Sequence, residues 1–107
     1  MKVAIPLFKD RVSPHFSTAP EALLVQTEGG RVCASWKINF ARLSPTERRA
    51  KLLSLGIETL FCGGIDEMSR SWFERQGIRV EDNRMGNAME ILERHLSASY
   101  SERLNET

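Results

Sequence analysis

The 107-residue chain has almost no net charge: 15 Lys and Arg against 14 Asp and Glu leave a formal +1. So even a balance argues against a broad electrostatic footprint for DNA, RNA or an anionic membrane. Cysteine is scarce. Cys33 and Cys62 are the two present, too few for a disulfide framework, and reduced thiols in a cytoplasmic protein are expected. Long apolar runs are missing. The opening Met1-Lys2-Val3-Ala4-Ile5-Pro6 is too short for a secretory core or a membrane span. The strong local signatures of catalysis and metal binding are absent too: there is no CxxC, HxxxH, GxSxG or phosphate-loop motif. What is present, 41% hydrophobic and 27% charged residues, is the composition of one folded domain.

The hydrophobic pattern sets the order of elements. Val3–Leu7 is a short apolar run suited to a strand covered on both faces. Ala22–Thr27 and Arg31–Ile38 flank Gly29-Gly30, a hairpin turn signal. In the second of these, Val32, Ala34, Trp36 and Ile38 alternate with Arg31, Cys33, Ser35 and Lys37, which predicts one buried and one wetter face. Ser44-Pro45-Thr46-Glu47 has capping-box spacing and opens a helix that closes at Gly56. On it, Glu47, Arg48, Arg49 and Lys51 read as a solvated face. Ile57–Cys62 is a fourth strand, ending in Gly63-Gly64. Asp66 caps a second helix to Gly77, with Met68, Trp72 and Phe73 expected in the core. Ile78–Val80 is a fifth strand. Asn87 and Glu90 repeat the capping spacing before a third, amphipathic helix through Leu96. His95 reads as a surface position on it. Residues 1–96 form the expected domain, and Ser97–Thr107 a polar tail that frays.

Hairpin-joined strands cannot all be parallel, whereas helical crossovers return the chain in the same direction. The expectation is an α/β three-layer fold with a mixed five-stranded sheet, order 3-2-1-4-5, and helices on both faces. That arrangement resembles the ribonuclease H-like fold. Its first strand holds no acid, so two-metal phosphodiester cleavage is not expected.

In open sheets, ligands favour the edge where strands one and four end side by side. The loop after strand one carries Ser13-Pro14-His15-Phe16, and the loop after strand four begins Cys62-Gly63-Gly64-Ile65. Imidazole and thiolate both suit soft or borderline metals. His15 reads equally as a capping histidine, and Cys62 as a small buried hydrophobe. The two glycines leave room for a bulky ligand, and the N-terminus of the second helix favours a Cys62 thiolate. Asp82–Asn87, with Met85, is expected to make a third wall.

At Arg11-Val12-Ser13-Pro14-His15-Phe16 and Cys62-Gly63-Gly64-Ile65, the sequence resembles the dinitrogenase iron–molybdenum cofactor biosynthesis family. MKVAIP, Gly29-Gly30, Leu55-Gly56-Ile57 and Gly77-Ile78 extend the likeness over residues 1–96. The resemblance implies a non-enzymatic protein that binds, stores or carries an iron–sulfur or iron–molybdenum cluster between donor and acceptor proteins. It maps the principal metal ligand onto His15 and a second onto Cys62, with Ser13, Gly63 and Gly64 around the cluster. Ser17 departs from the pattern, standing where a glycine commonly follows His-Phe. Asp66 and Glu67 add negative charge that Lys9, Arg11 or Arg42 would have to offset. The alternatives are a metal-free module for an anion or small metabolite, and a partner-docking domain. In the latter the edge strand Arg31–Ile38 with Trp36 pairs with another chain or forms a homodimer.

Overall fold

The computed structural model describes the backbone of residues 1–105 and the side chains of residues 1–98. It is an α/β fold with a mixed six-stranded sheet and three helices. The strands are β1 (Lys2–Phe8), β2 (Arg11–Val12), β3 (Glu21–Glu28), β4 (Arg31–Asn39), β5 (Thr59–Phe61) and β6 (Arg79–Glu81); the helices are α1 (Pro45–Ser54), α2 (Glu67–Arg75) and α3 (Ala88–Asn105). The sheet runs β4-β3-β1-β5-β6, with β2 off this path against β1. β1 pairs antiparallel with β3 and parallel with β5, so the C-terminal ends of β1 and β5 lie together.

β1 feeds both faces of the sheet, because successive side chains alternate. Val3, Ile5 and Leu7 join Phe61 and the α3 residues Ala88, Leu92 and Leu96 in one core. Ala4 joins Leu24, Phe40, Leu60, Leu52 of α1 and Phe73 of α2 in the other. The expected caps are present. Ser44 and Glu47 form a reciprocal capping box, Asp66 accepts from the Ser69 N–H at 2.9 Å, and Asn87 accepts from the Glu90 N–H at 3.1 Å. Among the described residues, no helix is long and apolar enough to cross a membrane.

Five expectations need correction. The sheet has a sixth strand, β2, which turns back on β1 through Lys9 at φ +58°. A two-residue strand is too short for periodicity to reveal, and no glycine marks its turn. β4 is not buried on one face: Trp36 is 40% exposed, and Cys33 is exposed with it. As the edge strand it has a neighbour on one side alone. Met68 is 71% exposed while Phe73 is fully buried, since five residues turn a helix by about 140° from one face to another. Arg48 is buried rather than solvated, with 4% exposure. Finally, α3 runs to Asn105, past the Leu96 at which the third helix was expected to end; Glu106 and Thr107 lie outside the described residues.

Candidate functional site

Three loops meet at the C-terminal edge of the sheet, joined by backbone hydrogen bonds. Gly64 N–H donates to the Pro14 carbonyl, and Phe16 N–H donates to the Gly64 carbonyl, each at 2.8 Å. His15 and Gly64 thereby form an isolated parallel bridge. The loop after β6 is tied in by Asn83 N–H to the Gly63 carbonyl at 3.0 Å and Arg84 N–H to the Cys62 carbonyl at 2.9 Å. Val12 N–H to the Gly86 carbonyl, 2.9 Å, closes the ring. Segments far apart in sequence are thus held as one rigid rim.

The rim's glycines answer to this close approach. A Cβ on Gly63 would lie 2.6 Å from the Ser13 carbonyl oxygen, and one on Gly64 3.0 Å from that of Pro14 and 3.2 Å from His15 Cδ2. The absent side chains make room for the neighbouring loop, where the sequence suggested room for a ligand. Both glycines still line the cavity described below.

His15 is half-buried and precedes a 3₁₀ turn, Phe16–Thr18. Its Nδ1 lies 3.2 Å from the Ser17 backbone N and 2.7 Å from Ser17 Oγ. With Nδ1 unprotonated it accepts from the Ser17 N–H and the Ser17 hydroxyl, and Nε2 carries the proton. Freeing the Nε2 lone pair for a metal requires the other tautomer, in which Nδ1–H donates to Ser17 Oγ and the Ser17 N–H gives up its acceptor. Ser17, read as a departure in the sequence, is therefore the group that can fix the imidazole. Ser13 is buried, and its hydroxyl donates to the His15 carbonyl at 3.2 Å.

Cys62 has no exposed surface and packs with Phe16, Leu60 and Phe73. Burial, with Asp82 nearby, pushes its thiol up to about 12 against the counter-pull of Arg70. From the sequence, the helix N-terminus was expected to lower it; burial instead drives the shift upward. The strand ends bring the His15 and Cys62 segments together, but the sulfur is turned into the core.

A cavity of about 500 Å³ opens on the rim. Pro14, Gly63 and Gly64 form its floor, and the Asp82–Asn87 loop supplies a wall through Asn83, Arg84, Met85 and Gly86. Arg11 and Arg84 line it, and no acidic residue does. Asp66, whose charge looked troublesome in the sequence, is occupied in capping α2. Burial alone would raise its carboxyl, but hydrogen bonds from the Ser69 backbone and hydroxyl and the charge of Arg49 hold it below the ordinary range. Arg84 was missed in the sequence; a lone arginine in a loop carries no pattern.

Arg48 was missed as well, and it braces the His15 turn from behind. Its Nη1 donates to the carbonyls of Phe16 and Ala19 at 3.0 and 2.6 Å, its Nε to that of Leu43 at 3.0 Å, and its guanidinium lies 5.2 Å from the Phe40 ring centre. Desolvation lowers its pKa, as expected for a cation held by carbonyls alone.

Residues 1–98 match the family model described as dinitrogenase iron-molybdenum cofactor. The chain belongs to that family. Membership connects it with iron–molybdenum cofactor biosynthesis. Among solved structures, the family fold recurs in the protein PH0822, at TM-score 0.86 and 22% identity over 92% of this chain and 90% of that one. A candidate dinitrogenase from Methanocaldococcus jannaschii gives 0.76 and 18% over 92% and 89%. A candidate NifB protein from Thermotoga gives 0.60 and 22% over 94% and 87%. No curated protein matches the chain. Among the described residues, no group of three or more His, Cys, Asp or Glu is placed to hold a metal ion.

Proposed function

We propose that this protein is a non-enzymatic, cytoplasmic carrier that binds an iron–sulfur or iron–molybdenum cluster and passes it between donor and acceptor proteins. The observation that supports this reading best is the acid-free cavity with Arg11 and Arg84 on its wall; His15 does not line it but stands next to its lining, bridged to Gly64. Clusters of this kind are anionic, and two guanidinium groups offset that charge where it would be desolvated. His15 Nε2 is the metal ligand in this reading, with Nδ1–H donated to Ser17 Oγ as the orienting bond. Gly63 and Gly64 let the two loops close into a floor beneath the cluster, and Ser13 steadies His15 through its carbonyl. Cys62 would have to lose a tightly held proton and leave the core to bind metal. The metal bond therefore rests on His15, and Cys62 packs. A cluster held by one protein ligand remains transferable, as a carrier requires.

The ribonuclease H-like label belongs to this reading: β1 is central between β3 and β5. Its residues, Lys2 to Phe8, include no carboxylate, which supports a binding role over metal-dependent hydrolysis. The metal-free alternative uses the same two arginines for a small anion.

Anaerobic reconstitution followed by metal counting and absorption spectra separates the two. We expect the parent to hold iron, or iron with molybdenum, and His15→Ala to lose at least about nine-tenths of it, as follows from removing a ligand rather than its support. Ser17→Ala lowers affinity about tenfold or more. Loss of the His15 cap costs about 1 kcal/mol, a fall of several degrees in Tm, so the variant stays folded. Full occupancy in His15→Ala would sink the assignment. A parent without metal that still binds anions through Arg11 would favour the alternative.

A further inference from the structure

A second cavity, of about 390 Å³, lies beyond Asn83–Met85, between that loop and α3. Its volume falls within the range of small-ligand pockets, roughly 300–1,000 Å³. Phe61, Ile91 and Met85 supply apolar surface, and Arg84, Arg94 and His95 supply donors. His95 is not a bare surface position: it is half-buried, with its ring 4.8 Å from that of Phe61 at an interplanar angle of 68°. That contact fixes the imidazole.

Among the described side chains, the charge balance here is positive. Glu81 is the neighbouring carboxylate, and it is shared between Arg84 at 3.1 Å and Arg79 at 2.6 Å, so those three side chains together carry one positive charge. Asp82 is paired with Arg70. Arg94 makes no ion pair among the described residues. Among the described residues, no acidic side chain lines the cavity.

We propose that this cavity is a second binding site, for a small aromatic oxyanion. Its ring rests on Ile91 and Met85, with the buried Phe61 behind them, and its phosphate or carboxylate head is held by Arg94, His95 and Arg84. An apolar surface beside planar, bidentate donors suits such a ligand better than a bare inorganic ion. The site does not include His15; it shares Asn83, Arg84 and Met85 with the first cavity, so Arg94 and His95 are the groups that distinguish it.

The test follows the His95 ring by NMR during titration with phenyl phosphate and, separately, benzoate. Inorganic phosphate and benzyl alcohol serve as the two halves of the ligand. We expect saturable shifts at His95 with at least one aryl anion, and weaker binding of each half. Arg94→Gln lowers the affinity about tenfold or more, the worth of one charge-assisted hydrogen bond. His15→Ala leaves it unchanged. Arg94 is exposed, so its variant folds, and the thermal midpoint confirms this. Three results would overturn the proposal: no saturable His95 shift up to about 10 mM of either aryl anion, inorganic phosphate binding as tightly as phenyl phosphate, or binding lost in His15→Ala but kept in Arg94→Gln.

Discussion

The imidazole of His15 and the thiol of Cys62 are divided by burial. His15 stands half-buried at the head of a turn, whereas Cys62 is fully buried in the core that also holds Phe16. The same property makes the cysteines chemically distinguishable. With a thiol pushed up to about 12, only about one Cys62 in ten thousand is ionised at pH 8, some thousandfold below an ordinary thiol. Cys33 is exposed on β4. Iodoacetamide at pH 8 is therefore expected to alkylate Cys33 and spare Cys62 in the folded protein, and to modify both in denaturant. Peptide mass spectrometry reads the outcome. Labelling of native Cys62 at the rate of Cys33 would show that the sulfur is accessible and would restore it as a ligand candidate.

The elements around the site depend on how closely two loops approach. Gly63→Ala places a Cβ 2.6 Å from the Ser13 carbonyl, and backbone on both sides leaves little to yield. We expect a loss of about 1–3 kcal/mol, the range for overpacked interiors. Gly64→Ala meets a side-chain carbon, His15 Cδ2, at 3.2 Å and one carbonyl at 3.0 Å, and should cost less. Urea midpoints of the two variants check the order, and equal losses would contradict the account. This seam was partly legible in the sequence. Glycines after a strand and a histidine after its parallel neighbour pointed to one edge, because strand order follows from hairpins and crossovers. What the glycines serve was not legible, since close packing against another backbone and space for a ligand leave the same residue. Arg48 was hidden for a related reason. Among charged helix neighbours nothing local singles it out, and its partners Phe16 and Ala19 lie about thirty residues away. Trp36 erred in the other direction: alternation in β4 was read correctly as strand, but among the alternating residues Ile38 alone packs against the core, while Val32 and Trp36 are exposed.

For the molecule as a whole, the two cores meet at β1, so both depend on one central strand. That much was readable from a nearly continuous apolar run, whereas the reach of α3 to Asn105 was not, because its last turns are polar. The charges spread over this frame fix how its stability varies with pH. Glu81 is raised by partial burial but lowered further by Arg84 and Arg79, and Asp66 likewise ends below its ordinary value. Groups depressed in the folded state stabilise it above their unfolded values, 3.8 for Asp66 and 4.5 for Glu81, and that contribution is lost as pH falls through the lower folded ones. Cys62 acts at the opposite end. Its folded value is raised, so its contribution is complete below the unfolded value of 9.0 and is lost as pH climbs towards about 12. We therefore expect urea midpoints to be level from about pH 5 to pH 9 and to decline on both sides. Cys62→Ala removes the thiol from the balance and should flatten the alkaline decline while leaving the acid one intact. An alkaline decline as steep in Cys62→Ala as in the parent would mean that the buried thiol does not govern it.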